Sequence, residues 1–234
     1  MKLTQAIKRA KEEGRVPLIA EVKLRSPKDG ELLQGRNPVQ IASEYIRGGA
    51  CAISVVTEPL HFGGSLEVLR KIAAGVNVPV LRKDFIKKKQ QILETRRSGA
   101  GAVLLISAML PGEKLNDLNE YAHSLDMETV VEIHTSRELQ DLEGLSLDMV
   151  GINNKDILDL ERGIDQTAPT EELARHLPPH VIIISESGIR NREDVRKVIA
   201  SGADAVLVGT ALMLSKKTAL TVATFIHALE EAND

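Results

Sequence analysis

A chain of 234 residues with 30 basic and 33 acidic side chains, and so a formal net charge of −3, has no basic excess with which to hold nucleic acid. One cysteine, Cys51, excludes an intramolecular disulfide and a cysteine-only metal cluster. Apolar residues make up 43% without any run near the ~20 that span a membrane, and aromatics only 2%, so aliphatic side chains must fill the core.

Met1 to Arg15 is charged and helix-like, unlike a signal peptide. Together with the single thiol, this leads to the expectation of a reducing, cytoplasmic setting. No nucleic-acid or membrane partner is expected, and the chain is expected to be a monomer or a weak homo-oligomer.

From Pro17 onward, short runs rich in Val, Ile and Leu alternate with longer amphipathic stretches, eight times over. The strand candidates are Pro17–Lys23, Ala52–Val56, Val78–Lys83, Ala102–Ile106, Thr129–His134, Asp148–Asn153, Val181–Glu186 and Ala205–Val208. Helices are predicted over Pro38–Gly48 after Asn37, Leu66–Ala74 after Ser65, Lys88–Ser98, and Glu113–Leu125. Four more follow at Arg137–Leu142 after Ser136, Glu171–His176 after Thr170, Arg192–Ser201 after Asn191, and Ala219–Glu231. Gly48-Gly49-Ala50, Gly99-Ala100 and Gly202-Ala203 each precede a strand and read as helix C-caps.

Strand-then-helix repetition requires parallel strands, because each crossover returns the chain to the same end of the sheet. Eight such units match a (β/α)8 TIM barrel, with an open doubly wound sheet as the alternative. No composition shift or linker interrupts them. One domain over residues 1–234 is expected, with residues 1–16 as a short N-terminal helical segment.

In such a barrel the chemistry lies at the C-terminal ends of the strands. Side chains alternate along a strand, so Glu21 and Lys23 share a face, and with Ala20 and Val22 toward the helices they point inward. Lys83 is in phase with Leu81. Glu132, Asn153 and Glu186 end three further strands. Two lysines and three glutamates thus converge from four strands, with Asn153 on a fifth. Ionised groups at a barrel mouth are costly unless paired or used, and this set points to general acid–base work on an anionic substrate. Ser187-Gly188-Ile189 after the seventh strand and Gly209-Thr210 after the eighth occupy the usual phosphate cradle of the fold, where glycine lets a ligand approach the backbone.

Several segments together resemble the indole-3-glycerol phosphate synthase family. They are Leu18-Ile19-Ala20-Glu21-Val22-Lys23 with Ser26-Pro27, Thr57-Glu58 with Phe62-Gly63-Gly64-Ser65, and Leu81-Arg82-Lys83-Asp84-Phe85-Ile86. Further along are Val131-Glu132-Ile133-His134, Gly151-Ile152-Asn153-Asn154, Ser185-Glu186-Ser187-Gly188-Ile189 and Val208-Gly209. The resemblance implies ring closure of 1-(2-carboxyphenylamino)-1-deoxyribulose 5-phosphate, with loss of carbon dioxide and water and with no metal or organic cofactor. It implies Lys83 as the general acid on the ketone oxygen and Glu132 as base or proton shuttle for the dehydration. Lys23 would contact the substrate's anionic groups, Glu21 would orient the lysines and hydroxyls, and Asn153 and Glu186 would hold substrate and dehydrating intermediate. Ser26, Ser187, Gly188 and Gly209, with Thr210 beside them, would line the phosphate site. Phe62 and Phe85 would pack near the anthranilate ring. Lys155 stands where the family commonly has arginine, keeping the charge without the bidentate fork. The family usually carries a longer N-terminal extension that covers the barrel mouth; 16 residues before Pro17 leave room for one short helix.

Other residues read as structural. Cys51, at the start of the second strand, is expected to be a small buried hydrophobe. His134 either lines the pocket or is a satisfied strand-end histidine. His61, His123, His176, His180 and His227 show no ligand spacing, so no metal is expected. Lys87-Lys88-Lys89 reads as a solvated helix start. Two other functions stay open: a phosphoribosylanthranilate isomerase-like sugar-phosphate isomerase, and an altered paralogue that binds a phosphorylated ligand without this turnover. The isomerase would need a cysteine on the first strand, where Glu21 and Lys23 stand.

Overall fold

The computed structural model describes residues 1–160, 162–163 and 167–230. Eight strands close into a barrel: β1 (Leu18–Val22), β2 (Ala52–Val56), β3 (Val80–Lys83), β4 (Ala102–Ile106), β5 (Glu128–Ile133), β6 (Met149–Asn153), β7 (Ile182–Glu186) and β8 (Ala205–Val208). Each pairs in parallel with its neighbours in sequence, and β1 closes the ring by pairing with β2 at Ile19↔Ala52 and with β8 at Leu18↔Val206.

Period-two alternation sorts the strand residues into two apolar layers. Ile19, Leu81, Leu104, Val130, Ile184 and Leu207 fill the barrel interior. Leu18, Ala20, Ile53, Val103, Val131 and Val206 face outward against the helices. Those helices are α2 (Pro38–Arg47), α3 (Leu66–Gly75), α4 (Lys89–Arg97), α5 (Gly112–Ser124), α6 (Ala168–Leu173), α7 (Arg192–Ala200), α8 (Thr210–Met213) and α9 (Thr218–Ile226).

Three expected N-caps are in place. Asn37 accepts from Val39 N at 2.9 Å, Ser65 from Val68 N at 3.2 Å and Asn191 from Glu193 N at 2.8 Å. Gly49, Gly99 and Gly202 take φ of +100°, +89° and +106° between helix and strand, where a side chain would be strained.

Three helices differ from expectation. Ser136–Leu142 is a 3-10 helix, and Ser136 does not cap it; the entry position is Thr135, without a side-chain cap. The stretch expected over Glu171–His176 begins at Ala168 and tightens to 3-10 geometry over Ala174–His176. Thr170 therefore lies inside α6 instead of capping it, because its hydroxyl has a better partner described below. The last helix, expected through Glu231, ends at Ile226 with residues 227–230 in turn or bend conformation, and Glu231 itself lies outside the described residues. A two-strand hairpin of Arg25–Ser26 with Gly30–Glu31, unanticipated from sequence, shapes the loop after β1.

The N-terminal segment forms α1 (Leu3–Glu12). It closes the end of the barrel at which the strands begin: Leu3, Ala6, Ile7 and Ala10 pack on the interior layer beside Ala52, Ala102 and Ala205. Glu128, first residue of β5, accepts Leu3 N at 2.5 Å and Thr4 Oγ1 at 2.5 Å, satisfying donors at the start of α1 that the helix itself leaves unpaired.

Candidate active site

The inward-facing charges expected at the strand ends do meet. Lys23 Nζ lies 3.3 Å from Glu21 Oε1. Lys83 Nζ is hydrogen-bonded to the Glu186 carboxylate, 3.8 Å from Glu132 Oε2 and 4.0 Å from Glu21 Oε2. All five side chains are buried. Asn153 Nδ2 donates to Glu132 Oε1 at 3.1 Å, and its Oδ1 accepts from Lys155 N at 3.0 Å.

Small residues make room for these carboxylates. A Cβ added at Gly151 would collide with the Glu186 carboxylate, and one at Gly209 with that of Glu21.

Two cavities share Glu21, Lys23 and Lys83 as a common wall. One is an apolar cleft formed by Val56, Phe62, Phe85, Leu104, Ile106 and Ile157, with Glu58 at its edge. The Lys23 ammonium sits 5.9 Å from the centre of the Phe62 ring, within cation–π range. The other cavity is polar, about 450 Å³, and lined by Asp29, Lys155, Ser187, Gly188, Arg190, Gly209 and Thr210 among others. Ser187 and Gly188 have φ of +64° and +72°, so the backbone there turns in the left-handed region.

Ser26 is turned into its own loop, where its hydroxyl accepts from Lys28 N and Asp29 N, both at 3.2 Å, and Asp29 instead reaches the polar cavity. His134 is half-buried, and its Nδ1 donates to the Asn153 carbonyl at 2.7 Å, a satisfied strand-end histidine. Cys51 is buried, and burial pushes its thiol up to about 12. Lys87, Lys88 and Lys89 are exposed, and Lys89 pairs with Asp117 at 2.5 Å.

Residues 1–225 match the family profile described as indole-3-glycerol phosphate synthase. The chain belongs to the indole-3-glycerol phosphate synthase family. It is 43% identical over 211 residues to the "Indole-3-glycerol phosphate synthase" of Thermococcus kodakarensis, covering 90% of the chain and 91% of the relative. The relative so named from Pyrococcus furiosus is 41% identical over 226 residues, covering 97% of each. The one from Dehalococcoides mccartyi is 47% identical over 203 residues, covering 86% of the chain and 77% of the relative. The relatives thus differ in length: two are matched over nearly their whole length and the third over about three quarters of it. Among solved structures, the N-acetylmannosamine-6-phosphate 2-epimerase of Clostridium perfringens superposes with a TM-score of 0.66 at 17% identity, covering 83% of the chain and 86% of the other. At that identity only the fold is shared.

The site of this indole-3-glycerol phosphate synthase family member also contains residues to which sequence reasoning assigned no role. Glu58 accepts the backbone N–H groups of Leu60, His61 and Phe62 at 2.9, 2.7 and 3.0 Å, and so folds the loop that presents Phe62. Burial raises its pKa, but the three N–H donors together outweigh that and hold the carboxyl below the usual range. Thr57, Arg82 and the half-buried Asp84 form a hydrogen-bonded set next to Lys83 in sequence: Arg82 donates to Thr57 Oγ1 at 2.8 Å and to Asp84 Oδ2 at 2.8 Å. Arg190 and Asp29 reach the polar cavity from loops, where strand alternation gives no signal. Arg190 had one available clue, its place directly after Ser187-Gly188-Ile189.

Proposed function

We propose that this chain closes the indole ring of 1-(2-carboxyphenylamino)-1-deoxyribulose 5-phosphate as a decarboxylating lyase, working as a single barrel domain. The observation that carries the reading is Lys83 Nζ, buried where an aromatic-lined cleft meets a phosphate-sized polar cavity, with three carboxylates within 4.0 Å.

The substrate has three recognisable parts: a carboxylated aromatic ring, a ketone and a phosphate. The cleft with Phe62 and Phe85 accepts the flat ring. Ser187, Gly188, Gly209 and Thr210 receive the phosphate through backbone N–H and hydroxyl groups, with Lys155 and Arg190 supplying positive charge. Lys23 faces the ring carboxylate until it leaves.

Bond formation joins the ring carbon that bears the carboxylate to the ketone carbon. The ketone oxygen gains an electron pair and takes a proton from Lys83. Carbon dioxide then departs and its bonding electrons restore the aromatic ring. The new hydroxyl leaves as water, pushed by the ring nitrogen's lone pair, and a proton is lost from the adjacent carbon. Glu132, held by Asn153, takes part in this dehydration as base or proton shuttle. Glu186 and Glu21 orient Lys83 and favour its ammonium form, so that it takes up a proton from solvent after giving one to the ketone oxygen. An ammonium surrounded by carboxylates is a cation kept in place for a developing oxyanion.

Indole fluorescence growing on addition of this substrate to the purified protein, and vanishing with Lys83→Ala, is the expected result. Absence of product from the parent protein overturns the reading.

A further inference from the structure

Asn153 and Asn154 are adjacent, and strand alternation sends them opposite ways. Asn153 points into the barrel and holds Glu132. Asn154 points outward and is fully buried, yet the proposed reaction assigns it nothing. Its amide Oδ1 accepts from the Thr170 backbone N–H at 3.2 Å and from Thr170 Oγ1 at 2.9 Å. Its Nδ2 donates to Ser185 Oγ at 3.0 Å and to the Ser187 carbonyl at 3.0 Å. The orientation of the amide is unambiguous, because a backbone N–H can only donate and a carbonyl can only accept. With Thr170 Oγ1 donating to Asn154, the 2.7 Å contact between Thr170 and Ser185 must be a donation from Ser185. A closed ring of side-chain hydrogen bonds results, with Nδ2 of Asn154 carrying one further bond out of it, to the backbone of Ser187.

That outgoing bond lands on a strained residue. Ser187 is a non-glycine at φ +64°, a conformation L side chains disfavour and that persists where the surroundings enforce it. Ser187 and Gly188 line the polar cavity. We infer that Asn154 is a positioning residue for phosphate: its amide clamps the Ser187 carbonyl, and so sets the left-handed turn whose backbone receives the phosphate group. The inference rests on the proposed reading of that cavity and deepens it.

The test uses inorganic phosphate as the probe, with binding read by calorimetry, turnover by indole fluorescence, and thermal melting beside both. Asn154→Ala removes the clamp together with the contact to α6. Thr170→Val removes only the hydroxyl on the α6 side and leaves the donor to Ser187. Asn154→Ala is expected to weaken phosphate about tenfold, the equivalent of one buried hydrogen bond, and to raise KM more than it lowers kcat. Thr170→Val is expected to lower the melting temperature while changing phosphate affinity less than about twofold. Where Asn154→Ala fails to fold, Asn154→Asp keeps the acceptor toward Thr170, lacks the donor toward Ser187, and is expected to show the same loss. Parent-like phosphate affinity in the folded Asn154 variant overturns the inference. So does a loss in both variants that simply follows their loss of stability. A parent protein that binds phosphate in an Asn154-dependent way but makes no indole supports the inference and overturns the synthase reading instead.

Discussion

Lys83, from the third strand, and Glu186, from the seventh, meet across the full width of the barrel in a buried hydrogen-bonded ion pair. Residues on opposite strands touch only if both side chains are long and the layer beneath them is small, and Gly151 provides that space by leaving room for the Glu186 carboxylate. Lys83→Ala is expected to lower kcat by about three orders of magnitude, the range of a lost general acid, with the far-ultraviolet circular dichroism unchanged. Lys83→Arg keeps the charge but holds its proton too tightly to donate it, and is expected to lose nearly as much. A kcat for Lys83→Ala within tenfold of the parent would remove the lysine from the acid role.

Three carboxylates crowd around the Lys83 ammonium, with Lys23 as the only other cation of the five converging strand-end charges. Such a cluster serves chemistry at the expense of stability. Glu132→Gln keeps the shape and the acceptor for Asn153 while removing one negative charge. It is expected to lower kcat by about 10²-fold or more while leaving the urea midpoint equal to the parent's or higher. A clear loss of stability with activity retained would make Glu132 a structural ion-pair partner.

Much of this arrangement was legible in the sequence because barrel strands impose a strict two-residue period. That period placed Glu21 and Lys23 inward and Ala20 and Val22 outward without any structural input, and it set the phase of Lys83 and Glu132. What it could not show were partners joined through loops. Asn154 meets Thr170 sixteen residues later, across a connection whose course the strand pattern does not constrain, and for that reason a plausible helix cap at Thr170 became a member of a buried ring. Ser136 failed as a cap for a related reason: a serine before a charged stretch signals a turn as readily as a helix. Glu58 lies in a loop where its three N–H donors depend on a backbone turn that composition does not encode.

The N-terminal helix closes the end of the barrel opposite the site, so its contribution is expected to be stability alone. Ile7→Ala removes a buried side chain from the interior layer and should cost about 2–5 kcal/mol by urea denaturation. Glu128→Gln weakens the cap on Leu3 and Thr4 and should cost about 1.5–3 kcal/mol. Both variants are expected to keep the parent kcat and KM at temperatures well below their melting points. A change in KM in either one would mean that the far end of the barrel communicates with the mouth.

Glu58 gives the mouth a defined response to acid. Its carboxyl is held low in the folded state by the N–H groups of Leu60, His61 and Phe62. A depressed folded pKa means that the associated stability is fully present above the unfolded value of about 4.3 and is lost as pH falls through the folded value. The melting-temperature gap between the parent and Glu58→Gln is therefore expected to be constant above about pH 5 and to shrink below about pH 4. A gap that is unchanged at pH 3 would mean that the three N–H donors do not favour the ionised carboxyl.

Gly209 offers the most direct test of how tightly the proposed acid–base group and phosphate cradle are packed together. A methyl group there would overlap the Glu21 carboxylate and come within 3.3 Å of Glu21 Cβ. The carboxylate is the mobile end of its side chain and can swing away, whereas the Cβ is fixed to β1. Gly209→Ala should therefore fold, but with Glu21 displaced from Lys23 and Lys83. Its kcat is expected to fall about tenfold or more, with a separate rise in KM because Gly209 also lines the phosphate cavity. The two effects separate in a double-mutant cycle. In a Glu21→Ala background the collision with the carboxylate no longer exists, so adding Gly209→Ala should raise KM without a further drop in kcat. Additive losses in kcat would mean instead that the methyl group acts on the reaction by a route other than Glu21, through Thr210 or the backbone of β8.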